Sequence, residues 1–308
     1  MPAPERGAAR RLEPVDGMLL GTVLLWALNV TVTKYVLTHG WQPLAYGTIR
    51  YFAAIGLFWA FTWWRERSFR VERGDLRLVG LAAAMIFLNQ VCFVFSVKYT
   101  TASSVALIFG ATPVFVGLVT IVLRLGRLGR RFWAGALVTL AGVGLVAAGS
   151  GSGLSGDLTG NLLAVGGALT WAMYSLAVAP LMRRYSPFRI SALVLALGWL
   201  PLAAVSAPEV AHQSFAFSAT TWAGFAYAVV GPLFLTNILW FNAIDRVGTA
   251  RASLFANLQP FFAVFFALVL LSERLQPLEL AGGILIFAGI ALERVRRPVG
   301  AAPEAPVE

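Results

Sequence analysis

Residues 101–113 read TASSVALIFGATP, and 147 positions further on residues 248–260 read GTARASLFANLQP. Under that one offset Leu107 falls on Leu254, Pro113 on Pro260, Phe115 on Phe262, Arg127 on Arg274, Gly135 on Gly282 and Gly142 on Gly289, without a gap. The chain is a duplication, and an internal repeat governs every later assignment. Each copy carries a proline inside an unbroken apolar run. Proline has no N–H and its ring crowds the carbonyl one turn back, so each helix must kink and free the carbonyls of Phe109 and Ala256. Pro113 and Pro260 are therefore the expected hinges.

Working outward, the 308 residues are 58% hydrophobic and 12% charged, too apolar for a water-soluble domain of this size. A hydrocarbon core of roughly 30 Å calls for helices of about 20 apolar residues, and only helices or closed barrels satisfy the backbone there. Ten such runs are present, near 17–37, 43–64, 76–97, 102–123, 132–149, 159–182, 189–206, 221–241, 249–271 and 278–295. The period-two alternation of a membrane barrel is absent. The expected fold is all-α and integral to the membrane. Each half holds five spans, an odd number, so the second half enters from the opposite face: two inverted five-helix repeats. The expected organisation is a disordered tail over 1–16, a first repeat over 17–149, a Gly/Ser linker over 150–158, a second repeat over 159–297 and a disordered tail over 298–308.

The net charge of +10 does not point to nucleic acid, because of where it lies. With the N-terminus inside, every Lys and Arg except Lys34, Arg50, Lys98 and Arg274 falls in a cytoplasmic tail or loop or at the cytoplasmic end of a span. That is the positive-inside bias, and it puts both termini on the cytoplasmic side of the inner membrane. The clusters 65–77 and 124–131 are topology signals that also suit anionic lipid. Arg6, Arg10 and Arg11 before an apolar run imitate a signal peptide, but the run is too long and lacks a small-residue cleavage site. Cys92, alone in its span, excludes an intrachain disulfide.

Helices interrupted at matching places in inverted repeats are the signature of secondary transporters, whose sites lie where the repeats meet. Trp26, Asn29 and Thr33 share a face of the first span, with Lys34 beside it; the sixth span answers with Trp171 and Tyr174. Asn89, Phe93 and Ser96 share a face of the third span, with Gln90 adjacent. Asn237 and Trp240 follow a break at Gly231-Pro232, and Asn257 precedes the second proline. Each amide can instead be interhelical glue, and the small residues Gly160, Ala164, Ala168 and Ala172 mark a packing seam. Lys34, about one turn from its helix end, can snorkel. Arg50 lies roughly 10 Å into its helix, and no acidic residue stands inside a span, away from its ends, to neutralise it. It is a dock for a substrate carboxylate or phosphate, unless helix carbonyls or Glu273 take it up.

Apart from Glu279 and Glu293 at the two ends of the last run, no span contains Asp, Glu or His, so no buried proton relay is evident. There is no phosphate-binding loop, metal-ligand cluster or nucleophile elbow. An enzyme and an ATP-driven pump are both disfavoured, and neither metal nor cofactor is expected.

Lys98 to Pro113, and Ala250 to Pro260 leading into 271–275 and 281–283, resemble the paired helix signatures of EamA-type members of the drug/metabolite transporter superfamily. Trp26-Ala27-Leu28-Asn29 with Lys34, and Arg50, resemble the opening of the same pattern, so the likeness runs from Gly17 to Arg294. It departs at Gly126, where the family often has the Glu that Glu273 supplies in the second half. The resemblance implies a ten-helix inverted-repeat transporter of amino acids and other metabolites, without a cofactor, as a monomer or homodimer. The Trp-rich, carboxylate-poor interior is most similar to the aromatic amino-acid exporters. The expected function is export or exchange of aromatic or hydrophobic amino acids by alternating access, without tight proton coupling. The alternatives are an organic-anion or sugar-phosphate antiporter needing both Lys34 and Arg50, a broad-substrate drug/metabolite exporter, and a channel.

Overall fold

The structure is a computed structural model that describes residues 14–124, 129–149 and 156–294. Their regular structure is helical throughout. In order come α1 (Pro14–Thr38), α2 (Pro43–Glu66), α3 (Leu76–Tyr99), α4 (Ala102–Gly110), α5 (Thr112–Val122), α6 (Arg130–Gly149), α7 (Gly156–Val178), α8 (Pro187–His212) and α9 (Ala219–Val229). A π-helical turn over Val230–Leu235 then leads into α10 (Thr236–Ala256), α11 (Gln259–Leu270) and α12 (Pro277–Arg294). The expected linker and both tails fall largely outside the described residues, as does Gly126.

Local chemistry sets the helix starts. Pro43 and Pro187 stand in the first turns of α2 and α8, where no N–H is needed. Thr101, Ser186 and Ser218 cap α4, α8 and α9, each side chain accepting the backbone N–H three residues on. At the first proline break α4 and α5 are bent by 45°. The carbonyl of Phe109, expected to be orphaned there, accepts the Thr112 hydroxyl at 2.6 Å, so the break is satisfied locally. At Gly231-Pro232 the helix widens into the π turn instead of stopping.

Among the described residues, seven helices are long and apolar enough to span a bilayer, and the bent α4–α5 pair makes up to eight. Gln259–Leu270 and Pro277–Leu292 are shorter apolar helices. This corrects the expectation of ten full spans at the stated boundaries. The run 249–271 is not one helix: its first part continues α10, which passes 242–248 without a proline to stop it, and the chain turns only at Asn257-Leu258. What is left as α11 covers about 18 Å at the α-helical rise, short of the hydrocarbon thickness. Only 28–44% of each spanning window is buried in the protein, so the remainder is free to face lipid.

Two helix pairs fix the architecture. α6 and α12 cross so closely that a Cβ on Gly142 would meet the Gly282 carbonyl at 2.6 Å, and one on Gly282 would meet the Gly142 carbonyl at 2.5 Å. Two turns along, Gly289 faces Gly135, and between them the Thr139 hydroxyl points at the Ile286 carbonyl, 3.5 Å away. The two helices therefore run antiparallel. The glycine pairs exchange under the sequence offset, and Thr139 meets its own counterpart. α2 and α8 are antiparallel as well. Glu209 accepts the N–H groups of Leu44 and Ala45, while the far end of α2 is held by Glu66 to Arg189 at 2.6 Å. Between these ends the Trp199 and Trp59 indoles donate to the carbonyls of Thr48 and Ala192, both at 3.1 Å. Phe52 lies on Trp199, its own counterpart under the offset, with ring centroids 5.4 Å apart. Small residues at such seams let backbones approach where lipid offers no hydrophobic drive.

Candidate functional site

α1, α2 and α3 bring their polar side chains together around Arg50. Only 3% of that residue is exposed. One terminal guanidinium nitrogen donates to Asn29 Oδ1 at 3.4 Å and to the Tyr46 hydroxyl at 3.3 Å, and the other donates to Gln90 Oε1 at 3.1 Å. The rings of Tyr46, Tyr51 and Phe93 lie 5.2, 5.8 and 5.9 Å from the guanidinium carbon. Tyr46 also shares a hydrogen bond with Thr33, and it precedes Arg50 by one turn of α2. No carboxylate pairs with Arg50 among the described residues, and its Nε, like Gln90 Nε2, is buried without a partner. Burying a cation costs several kcal/mol, and neutral oxygens and ring faces offset this less fully than an anion would. The cluster is thus a cation held ready, with one N–H direction still unsatisfied.

The other expected residues divide. Trp26 stands one turn from Asn29, donating to the Pro232 carbonyl at 3.3 Å and packing on Trp240 at 5.2 Å, so it joins α1 to the π turn and α10. Phe93 packs edge-on against Phe109, at the first helix break. Asn89 donates to the Gly167 carbonyl at 2.8 Å and serves as a tie between α3 and α7. Asn237 bonds back to Leu233 of its own helix, and Asn257 ends α10. Lys34 is drawn away from Arg50: its ammonium donates to the carbonyls of Val97 and Thr100 at 2.8 and 2.7 Å, capping the end of α3. Trp171, 40% exposed, packs on Tyr174 of its own helix and does not mirror Trp26. Glu273 does not approach Arg50. It accepts the N–H groups of Ala102 and Ser103 at 2.8 and 3.0 Å, filling the start of α4. Gly110 lies against Pro260, so one copy's break packs on the other's proline.

Sequence reading missed how the site is shut. Toward the α1–α2 turn, Trp41 is sandwiched between Phe217 at 4.8 Å and Phe225 at 5.0 Å, and Phe225 in turn meets Tyr46. Gln213 fastens this lid by accepting the Gln42 N–H and donating to the Gly40 carbonyl. Toward the other end Phe58 and Phe61 pack on Phe234 at 5.3 and 5.7 Å. The signal for the lid was Phe215-Ala216-Phe217 in a polar loop. No group of three or more potential metal ligands exists among the described residues.

A duplicated, multi-pass helical membrane protein with a buried polar centre is the class these features define. The profile of the EamA-like transporter family matches residues 14–148 and again 158–293, and the chain belongs to that family. It is accordingly a multi-pass membrane transporter, and not an enzyme. The chain is 24% identical over 283 residues to an "Uncharacterized transporter" of Archaeoglobus fulgidus, covering 91% of this chain and 97% of that one. It is 26% identical over 299 residues to the "Probable amino-acid metabolite efflux pump" of Salmonella typhimurium, covering 92% and 97%. It is 25% identical over 282 residues to the "Uncharacterized inner membrane transporter YedA" of Escherichia coli K12, covering 91% and 90%. A solved crystal structure superposes with a TM-score of 0.63 at 17% identity, over 91% of this chain and 97% of the other, a likeness of fold.

Proposed function

We propose that the protein is a secondary carrier that exports or exchanges amino acids and their close derivatives, aromatic and hydrophobic ones above all, by alternating access. The observation that carries this is Arg50: a buried guanidinium with no acidic partner and an unsatisfied Nε, walled by Asn29, Tyr46, Gln90 and Phe93. A substrate carboxylate completes that site, and the ring of Phe93 and the Trp26–Trp240 pair offer apolar contacts one turn away. The similarity to a relative named for amino-acid metabolite efflux supports the same class.

In this reading the two halves are inverted five-helix repeats totalling ten membrane passes, with α11 and α12 as the short ones. The antiparallel packing of α6 on α12 and of α2 on α8 supports the inversion. The termini lie in the cytoplasm by the distribution of Lys and Arg. The breaks at Pro113 and Pro260 act as hinges, and the Trp41 lid and the Phe58–Phe61–Phe234 plug open in turn.

The two-cation antiporter reading is weaker, because Lys34 is occupied with the end of α3. Counterflow in proteoliposomes tests the carrier: vesicles loaded with unlabelled phenylalanine should accumulate trace labelled phenylalanine beyond equilibrium. Arg50→Gln should reduce that accumulation at least about tenfold, since a charge-assisted hydrogen bond contributes about 1.5–3 kcal/mol. Undiminished counterflow in a folded Arg50→Gln protein would refute the assignment.

A further inference from the structure

At the end of α2 that carries the basic loops, a cavity of about 490 Å³ opens between α2, the α7–α8 connection and α10. Its walls include Phe61, Phe188 and Phe241, with Arg65, Arg183 and Asn242 as polar groups. Three features set it apart. Arg65 falls on the same stripe of α2 as Arg50, Ala54, Phe58 and Phe61, at intervals of three and four residues, so the cavity continues the line of the buried site. The phenylalanine plug separates the two: Phe61 packs on Phe188 at 4.7 Å and on Phe234 at 5.7 Å. Third, no carboxylate lines it among the described residues. Glu66, the nearest acid in sequence, is turned to Arg189 and the Ser186 hydroxyl, and neither Arg65 nor Arg183 is in an ion pair among the described residues.

We propose that this cavity is a second anion site, a vestibule that takes an amphipathic monocarboxylate before it passes the plug to Arg50. The carboxylate lies between Arg65 and Arg183, and an aromatic or branched body lies on Phe61, Phe188 and Phe241. The inference rests on the carrier reading above and narrows its substrate class. Among the described residues neither the vestibule nor the Arg50 cluster presents an acid to an ammonium group, and a free ammonium beside these guanidinium groups is repelled. The favoured substrate is therefore an amino-acid-derived anion, a 2-oxo acid or an N-acyl amino acid, in preference to the zwitterion.

The test uses 3-phenylpropionate, which has the ring and carboxylate of phenylalanine without its ammonium. Equilibrium dialysis of the labelled probe against purified full-length protein should give two sites in the wild type and one in Arg50→Gln. Adding Arg65→Gln and Arg183→Gln should weaken the remaining site about tenfold or more, and both positions are exposed enough that folding, checked by thermal unfolding, should persist. Phenylalanine should compete about tenfold less well than the probe. Binding that ignores the loss of Arg65 and Arg183, or equal competition by phenylalanine, would overturn the proposal. Phosphatidylglycerol shares the anionic head and apolar body, so the titration is repeated in nanodiscs of phosphatidylglycerol and of phosphatidylcholine. Probe displaced by phosphatidylglycerol alone makes the cavity a lipid headgroup site and also overturns the vestibule. Vestibular binding without counterflow of either 3-phenylpropionate or phenylalanine in the wild type is instead a failure of the carrier reading alone.

Discussion

The crossing of α6 and α12 makes a prediction that can be worked from distances. Gly142→Ala places a methyl 2.6 Å from the Gly282 carbonyl oxygen and 2.8 Å from the Ile286 nitrogen, both backbone atoms that cannot rotate away. Ordinary contact begins near 3.4 Å, so the helices must part by roughly 0.8 Å. A gap of that size forfeits a quarter to a half of each pairwise attraction across the seam, and overpacking of this kind costs about 1–3 kcal/mol. Alanine also favours a helix over glycine by about 0.8–1 kcal/mol, which masks part of the loss. Gly144→Ala on the same helix supplies the correction, because a Cβ there meets nothing within 4 Å. The expected result in detergent is a Tm for Gly142→Ala lower than that of Gly144→Ala by roughly 2–12 °C, taking about 2–4 °C per kcal/mol for a large domain. Gly289→Ala, the counterpart of Gly142, should fall by a similar amount. Equal Tm values for the Gly142 and Gly144 variants, or a harmless Gly289→Ala, would refute the argument that these helices touch through backbone.

Other outcomes follow from single contacts. Glu273→Gln should lower Tm by a few degrees through loss of the negative charge at the start of α4, and combining it with Ser103→Ala should cost less than the sum of the two, as a double-mutant cycle in Tm would show. Lys34→Met should destabilise the protein while leaving the apparent KM in counterflow within about threefold, because its ammonium serves α3 and not the Arg50 cluster. Trp41→Ala should unseat the lid. In a Cys92→Ser, Tyr46→Cys protein it should raise the rate of thiol labelling at position 46 several-fold, and unchanged labelling would mean that Trp41 does not control access.

The duplication, the helical class and the isolation of Arg50 were legible from residues, because each rests on local chemistry: an offset that holds without gaps, a hydrophobic run, a charge without an acid in reach. Helix ends were harder. The turn expected before residue 249 had only Gly248 to mark it, and α10 runs through it to Ala256. The fate of polar side chains was hardest of all. Asn29 and Asn89 look alike in sequence, yet one accepts from Arg50 and the other donates to the Gly167 carbonyl on α7, because rotation of α3 against α7 is set by Gly160 and Gly167 contacts that no single-helix pattern contains. Lys34 had its snorkelling destination fixed by the end of a helix two elements away. The vestibule arginines read as topology charges, since a cavity is a property of three helices together.

The meetings of Phe52 with Trp199 and of Thr139 with Ile286 have a historical consequence. On the inverted-repeat reading proposed above, each of these pairs goes back to a single residue facing itself in a half-length chain paired with its own copy, where only a self-complementary side chain fits. Joining the two copies in one gene lifted that restriction, and the positions diverged in different directions. Phe52 now faces an indole and Thr139 an isoleucine, pairings of unlike side chains that a symmetric dimer does not have on its two-fold axis.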